Sequence, residues 1–425
     1  MVHIIGGGLA GVEAAWQLAR AGAPCVLSEM KPLRFSPAHK SADLAELVCS
    51  NSLKAERVGS AAGLLKAEMK ALGSLCVAVA EQCRVPAGGA LAVDRDAFAQ
   101  EITRQIKAEP LITLRREEVT EIPAEGVAII AAGPLASERL SASIQAFCGG
   151  ALHFYDAAAP IVTAESVDMN HAFAASRYGR GGEDDYLNCP LNREEYEAFE
   201  AALRTAERAH THEFDVYEGC MPIEILAGRG KDAIRFGPMK PVGLRDPATG
   251  HRPWAVLQLR KENAAGSLYN LVGFQTNLKF GEQRRVFGMI PALHDAEFAR
   301  FGVMHRNTFI DSPRVLGPDF QCKARPGLYF AGQITGVEGY MESAAAGLLA
   351  GRNAALTLQN QPPLLLPPET MLGALSRYVS DAGVTDFQPM GANFGILPPL
   401  PEKIRDKKVR YEALAERALK CMEGL

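Results

Sequence analysis

At 425 residues, 48% hydrophobic and 22% charged, the chain has the make-up of an ordinary globular protein, long enough for about two or three domains. A net charge of -4 excludes a globally basic nucleic-acid binder, so a polyanionic partner has to meet a local patch. No apolar run reaches the roughly 18 residues of a membrane span, and nine cysteines without a C-x-x-C pair read as free thiols of a reducing, cytoplasmic compartment.

The first element is a β-branched run, Val2 to Ile5, that reads as a buried strand. It leads into Gly6-x-Gly8-x-x-Gly11 and a helix-forming segment from Val12 to Arg20. A second apolar run, Pro24 to Leu27, ends near Glu29. Strand, glycine turn, helix, strand and acid in this order are the βαβ dinucleotide-binding fingerprint. Gly6 permits the tight turn, Gly8 lets the backbone approach a pyrophosphate, and Gly11 lets helix and strand pack closely. Gly7, Leu9 and Ala10 complete the phosphate-facing helix start, and Glu29 is placed for ribose hydroxyls. Because the fingerprint begins at residue 2, no cleaved leader is expected.

A loop-like stretch from Met30 to Glu56 carries His39, Lys40 and Cys49. Residues 60–83 read as helical, with Leu64, Leu65, Met69 and Leu72 at three- and four-residue spacing. A turn-rich loop at 85–90, a helix from Arg95 to Lys107, a strand from Leu111 to Leu114 and another around Val119 follow. The run Val127 to Ile130 then meets Ala131-Ala132-Gly133-Pro134, a further pass of a parallel sheet beneath a nucleotide.

Residues 151–320 lose this rhythm and read as an inserted α+β domain. Its acidic part includes a solvated helix from Arg193 to Arg208. Its basic part, 240–285, interleaves Trp254, Tyr269, Phe274 and Phe280 with Arg252, Arg260, Lys261, Lys279, Arg284 and Arg285. Bases and phosphates can use such a mixture, and an ordinary antiparallel sheet with basic edges accounts for it equally well. The nucleotide pattern resumes at Leu328 to Ala331, with the turn at Gly332-Gln333 and a small-residue helix from Glu342 to Ala355. Two phosphate-facing turns in one chain point to FAD. The fold expected is α/β: a Rossmann-like, glutathione-reductase-type FAD-binding domain built from 1–150 and 321–425 and split by the insertion. A last helix presents Tyr411, Leu414, Ala415 and Ala418 on one apolar stripe.

Six stretches carry a more specific likeness: AELVCSNSL (45–53), VPAGGALAVDR (85–95), YEGCMPIEILAGRG (217–230), FGPMKPVGL (236–244), VMHRNTFIDSP (303–313) and FAGQITGVEGYMESAAAGLLAG (330–351). Together they resemble the folate- and FAD-dependent tRNA (uracil-5-)-methyltransferases, the TrmFO or Gid family, over nearly the whole chain. Departures are minor: Gly7 stands where alanine is usual, at a position read as free, and Ala132 stands in the usual Ala-Thr-Gly turn.

The resemblance implies transfer of a methylene from 5,10-methylenetetrahydrofolate to C5 of the T-loop uridine of tRNA. Reduced FAD, recharged by NADH or NADPH, then makes it a methyl. Uracil C5 is a poor nucleophile, so a thiolate must first add at C6 and a second group must later remove the C5 proton. The family match implies Cys220 as the nucleophile, Cys49 as the C5 base near the flavin, and His305 as the residue stacking on the pterin. Cys189 also matches but reads as structural, and Cys25, Cys76, Cys83, Cys148, Cys322 and Cys421 read as small apolar residues. Lys240, Arg260 and Lys261 are candidates for phosphates or the folate glutamate, and Arg284 and Arg285 for RNA. His210 and His212 lie beside acids without a cysteine at ligand spacing, so no metal is expected.

Four other readings compete. A wobble-uridine-modifying FAD protein normally has a longer C-terminal part, ribosomal RNA is an alternative substrate, and a non-catalytic RNA-binding flavoprotein would not need both Cys49 and Cys220. A thiol-disulfide flavoenzyme would need a paired redox motif, which is absent.

Overall fold

Five runs of small and branched apolar residues pair side by side in a parallel sheet, in the order Leu328–Phe330, Ala128–Ile130, Val2–Ile5, Cys25–Glu29, Ile112–Arg116. The inner strands are buried on both faces, which is why they read as continuous apolar runs rather than alternating ones. In this computed structural model, residues 1–150, 152–179, 182, 185–209, 221–384 and 387–423 are described.

The helix Leu9–Arg20 lies on this sheet, and the long helix Tyr340–Leu358 packs along it. Their approach depends on small residues. A Cβ added at Gly351 would sit 2.6 Å from the Ala14 carbonyl oxygen, and one at Gly347 would overlap the Ala10 carbonyl. Residues 60–83 are two helices, Ala61–Ala71 and Leu75–Gln82, not one. Gly73 takes the left-handed conformation (φ 73°), and the Ser74 hydroxyl then accepts from the Val77 N–H to start the second helix. No strand forms around Val119. After the last rung, from Glu117 N–H to Glu29 O, the chain leaves the sheet, and Val119 joins the wall of a cleft.

Between Ala128–Ile130 and Leu328–Phe330 the chain builds a second, antiparallel sheet. Its order is Phe173–Ala174, Tyr186–Leu191, Ala255–Lys261, Leu268–Leu271, Ile161–Thr163, Phe298–Arg300. Within the basic stretch, 255–261 and 268–271 are strand, so Arg260 and Lys261 lie on the sheet, whereas Arg284 and Arg285 lie on helix Phe280–Phe287. Helix Arg193–Thr205 is not simply solvated: Tyr196, Phe199 and Leu203 are buried in a core of their own with Phe274 and Phe287. A two-stranded ribbon, Leu152–Ala157 with Met304–Phe309, carries the chain out and back.

The two cores meet along a polar seam. Tyr186 Oη donates to Ala87 O at 2.9 Å, Asp185 accepts from Gly88 N–H at 2.6 Å, and Asp94 accepts from Ala264 N–H at 3.0 Å. Arg95 forms a buried ion pair with Glu262. The closing helix, Lys407–Met422, buries Leu414, Ala415 and Ala418 as its stripe requires. Among the described residues no helix is long and apolar enough to cross a membrane.

Candidate active site

A trough opens at the carboxyl ends of the parallel strands, where Gly6 to Ala10, Glu29, Ala131 to Pro134, Gly332 and Gln333 converge. Gly6 has φ 106°, and a side chain there would press within 2.5 Å of the Ala131 carbonyl oxygen. Gly11 stands behind the trough: a Cβ would overlap the Gly6 carbonyl, so the helix can sit this close only with glycine. Gly8 is different. Its backbone (φ -74°) suits any residue and a Cβ would meet nothing within 4 Å, so the space beside it is open trough. No side chain caps helix Leu9–Arg20, leaving its first N–H groups and dipole facing that space. The Glu29 carboxylate, buried at the strand end, accepts from Gly7 N–H at 2.6 Å and Lys31 N–H at 2.9 Å. An extended dinucleotide such as FAD fits this set of groups. Gly7 is not the free position expected, because an added Cβ would lie 2.6 Å from Leu44 Cδ2 and 2.9 Å from Glu29 Oε2.

A second cleft of about 260 Å³ adjoins the trough, and Val48, Pro134, Leu135, Gln333 and Tyr340 line both. Cys49 is in its wall, 3.0 Å by Sγ from the Tyr340 hydroxyl. The strand-free segment holding Cys49 is clamped at every step. Arg95 donates to Leu47 O at 3.0 Å, and Tyr340 Oη accepts from Cys49 N–H at 2.8 Å and Ser50 N–H at 3.2 Å. Arg260 donates to Ser50 Oγ and Asn51 Oδ1, both at 3.0 Å, while Asn51 Nδ2 donates to Val93 O and Lys261 O. Opposite Cys49, Glu338 accepts from Gln333 Nε2 at 2.7 Å, and the buried Glu342 pairs with Lys54 at 2.7 Å. Lys66, behind Leu53, donates to its carbonyl, and burial lowers its pKa to about 8.

Burial pushes the Cys25, Cys148 and Cys189 thiols up to about 12 and Cys76 well above its usual value, so none of these ionises near neutrality. Cys189 is fully buried on strand Tyr186–Leu191, next to the edge of the second sheet, a packing residue.

Of the residues picked out from the sequence, Gly6, Gly7, Gly8, Leu9, Ala10, Glu29, Gly133, Gly332 and Gln333 all line the trough. Cys220, His210 and His212 lie outside the described residues. His305 falls on strand Met304–Phe309, its backbone opposite Asp156; its side chain lies outside the described set. Arg260 is a correction: at 6% exposure, bonded to Ser50 and Asn51, it is an internal brace of the Cys49 segment and not a surface phosphate contact. Lys240 is exposed on a turn away from both clefts, and Lys261 is half-buried. Arg284 is exposed and stacks over Phe301 at 4.8 Å, whereas Arg285 is held by Glu282. Asn51, Arg95, Glu338, Tyr340 and Glu342 were not singled out by sequence. The one signal for Tyr340 was its place at the start of the helix after the second glycine turn.

Residues 1–362 match the family model of glucose inhibited division protein A. The chain is 60% identical over 422 residues to the methylenetetrahydrofolate--tRNA-(uracil-5-)-methyltransferase TrmFO of Moorella thermoacetica, covering 98% of this chain and 96% of that protein. It is 57% identical to the protein of the same name from Enterococcus faecalis, covering 98% and 97%. Among solved structures, Aquifex aeolicus GidA in its form II crystal shares the fold. Its TM-score is 0.74 at 18% identity, over 100% of this chain and 73% of that one. With its trough, its cysteine cleft and this likeness over nearly its full length, the chain belongs to the TrmFO family of methylenetetrahydrofolate--tRNA-(uracil-5-)-methyltransferases.

Proposed function

We propose that this protein transfers the methylene carbon of 5,10-methylenetetrahydrofolate to C5 of the T-loop uridine of tRNA, in the cytoplasm, and reduces it there to a methyl group. The observation that carries the reading is Cys49, a thiol in the wall of a cleft that shares Gln333 and Tyr340 with the dinucleotide trough. Residues 1–150 and 321–425 act as one FAD-binding unit interrupted by 151–320. Gly6, Gly7, Gly8, Leu9, Ala10, Glu29, Gly133, Gly332 and Gln333 hold FAD, and Gly11 keeps the helix close behind them. When bound, FAD supplies the hydride that completes the methyl group, and NADH or NADPH restores it.

The chain supplies the acid–base and covalent chemistry. The Cys220 thiolate adds to uracil C6, and the C5=C6 electron pair moves onto the C4 carbonyl as an enolate, making C5 nucleophilic. Ile223, three residues after Cys220, is pinned by its N–H to Gln275 O at 2.8 Å, and Gln275 lines the cleft. Cys49 Sγ accepts the C5 proton; the electron pair it leaves behind breaks the bond between the methylene and the folate nitrogen, releasing tetrahydrofolate, and Cys220 leaves C6 once a hydride has reached the methylene. His305 stacks on the pterin, with Asn307, two residues on, in the cleft wall. Lys240, Lys261, Arg284 and Arg285 meet the RNA backbone.

The test supplies the flavin-loaded protein with NADPH, carbon-labelled methylenetetrahydrofolate and either a tRNA transcript or a ribosomal RNA fragment. The expected result is labelled 5-methyluridine in the T-loop of the tRNA alone, with no product when S-adenosylmethionine replaces the folate. Label in the ribosomal fragment alone overturns the choice of substrate. RNA carrying 5-fluorouridine forms a stable protein adduct, and an adduct that survives Cys220→Ala overturns the nucleophile assignment.

A further inference from the structure

We infer that Tyr340 sets the protonation of Cys49: its hydroxyl donates to Sγ and holds the sulfur as a hydrogen-bond acceptor. The inference rests on the reading of Cys49 as the proton-accepting thiol.

The argument is one of donors and acceptors. A phenol oxygen has one proton and two lone pairs. At Tyr340 Oη two backbone donors already arrive, Cys49 N–H at 2.8 Å and Ser50 N–H at 3.2 Å. Both lone pairs are thus engaged, and the single proton is left for the third neighbour, Cys49 Sγ at 3.0 Å. Burial pushes the Tyr340 phenol well above its usual pKa, so that proton is present throughout the neutral range. A donor at this distance stabilises the thiolate more than the thiol, since a bond to a charged acceptor is the stronger one.

Other charges face the same sulfur. Arg95, from helix Arg95–Ala108, acts on Tyr340, and Arg300, at the end of strand Phe298–Arg300, interacts with both Cys49 and Tyr340. Glu262 is paired with Arg95 and offsets part of that positive field. Across the cleft stand Glu338, Glu342 and Lys54. Within this field Tyr340 acts on the sulfur directly, through the 3.0 Å contact of its hydroxyl with Sγ. When the C5–H bond of the pyrimidine breaks, its electron pair expels the folate nitrogen and the proton becomes an S–H. Tyr340 is thereby a positioning residue that acts through Cys49.

The experiment measures the rate of iodoacetamide alkylation of Cys49 against pH, by peptide mass spectrometry, in the flavin-loaded enzyme without RNA or folate. Tyr340→Phe is expected to raise the midpoint by about one pH unit or more. The pH profile of tRNA methylation should move the same way and recover toward alkaline pH. Placing 3-fluorotyrosine at 340 keeps all three contacts but makes the hydroxyl a stronger donor, and should lower the midpoint. If Tyr340→Phe does not hold flavin, the fluorotyrosine protein carries the test alone. An unmoved midpoint in the flavin-loaded variants, or a fluorotyrosine shift upward, overturns the inference. Because alkylation uses neither substrate, failure of the methylation reading would leave this result standing, and the reverse also holds.

Discussion

Gly8 and Gly11 belong to one motif but do different work, and the difference is measurable. Gly8 has an unstrained backbone and empty space where a side chain would go, and that space is the cofactor trough. Gly8→Val should therefore leave the melting temperature of the flavin-free protein within a few degrees of the parent and abolish flavin binding. Gly11→Ala should instead destabilise the flavin-free protein, by about 1–3 kcal/mol, because the new methyl collides with the Gly6 carbonyl. Thermal melts of the apoproteins and flavin absorbance per polypeptide separate the two, and equal effects would mean that Gly8 is structural too. These glycines, with Glu29, were legible in sequence because their spacing is local. Tyr340 and Asn51 were not, because what they bind is remote in the chain. Tyr340 meets Cys49 across 291 positions and Asn51 meets Lys261 across 210, and no periodicity carries such pairings. Arg260 misled for the same reason, since a basic residue among aromatics looks like surface until its partners Ser50 and Asn51 are seen.

At the scale of elements, helix Met371–Tyr378 is docked by a carboxylate from another helix. Glu68, fully buried, accepts from Met371 N–H at 2.7 Å and Leu372 N–H at 2.9 Å, and burial still outweighs those bonds, raising its pKa to about 7. The folded value lies above the unfolded one, so the protonated form favours folding. That contribution is complete below about pH 4.5 and is lost as pH rises through about 7, a change of about 3 kcal/mol. Comparing denaturation of the parent and Glu68→Gln from pH 5 to 8 should show the parent losing stability relative to the variant. Parallel curves would contradict the raised pKa. Element type was readable from periodicity, but ends and breaks were set by turn chemistry. Gly73 and Ser74 split one apparent helix into two, and at Val119 the sheet had run out of rungs. The acidic composition of Arg193–Thr205 hid a stripe, Tyr196, Phe199 and Leu203, that a count of charges cannot reveal.

Across the whole molecule, the two cores are joined by a polar seam that reaches the Cys49 segment. Arg95 both pairs with Glu262 of the second core and holds Leu47 O in the Cys49 segment. Removing one partner of a buried ion pair strands the other charge, so Glu262→Ala is expected to cost about 3–5 kcal/mol. Methylation should fall sharply while flavin content stays near that of the parent, since no trough residue is touched. Denaturation, flavin content and activity of one preparation test this together, and full activity in the variant would show that alignment does not pass through this pair. The interruption of one cofactor fold by another core was visible in sequence as a lapse and return of the apolar rhythm. The seam was not, because its partners are polar, few and contributed from both sides. The pairing of Leu328 with Ala128 also sets an order of birth on the ribosome. The parallel sheet waits for its edge strand until the entire second core has emerged, although N-terminal units ordinarily fold first during synthesis. The guest can mature inside an unfinished host, and the trough, which needs Gly332 and Gln333 from beyond that strand, is complete only in a chain made past the whole of its second core.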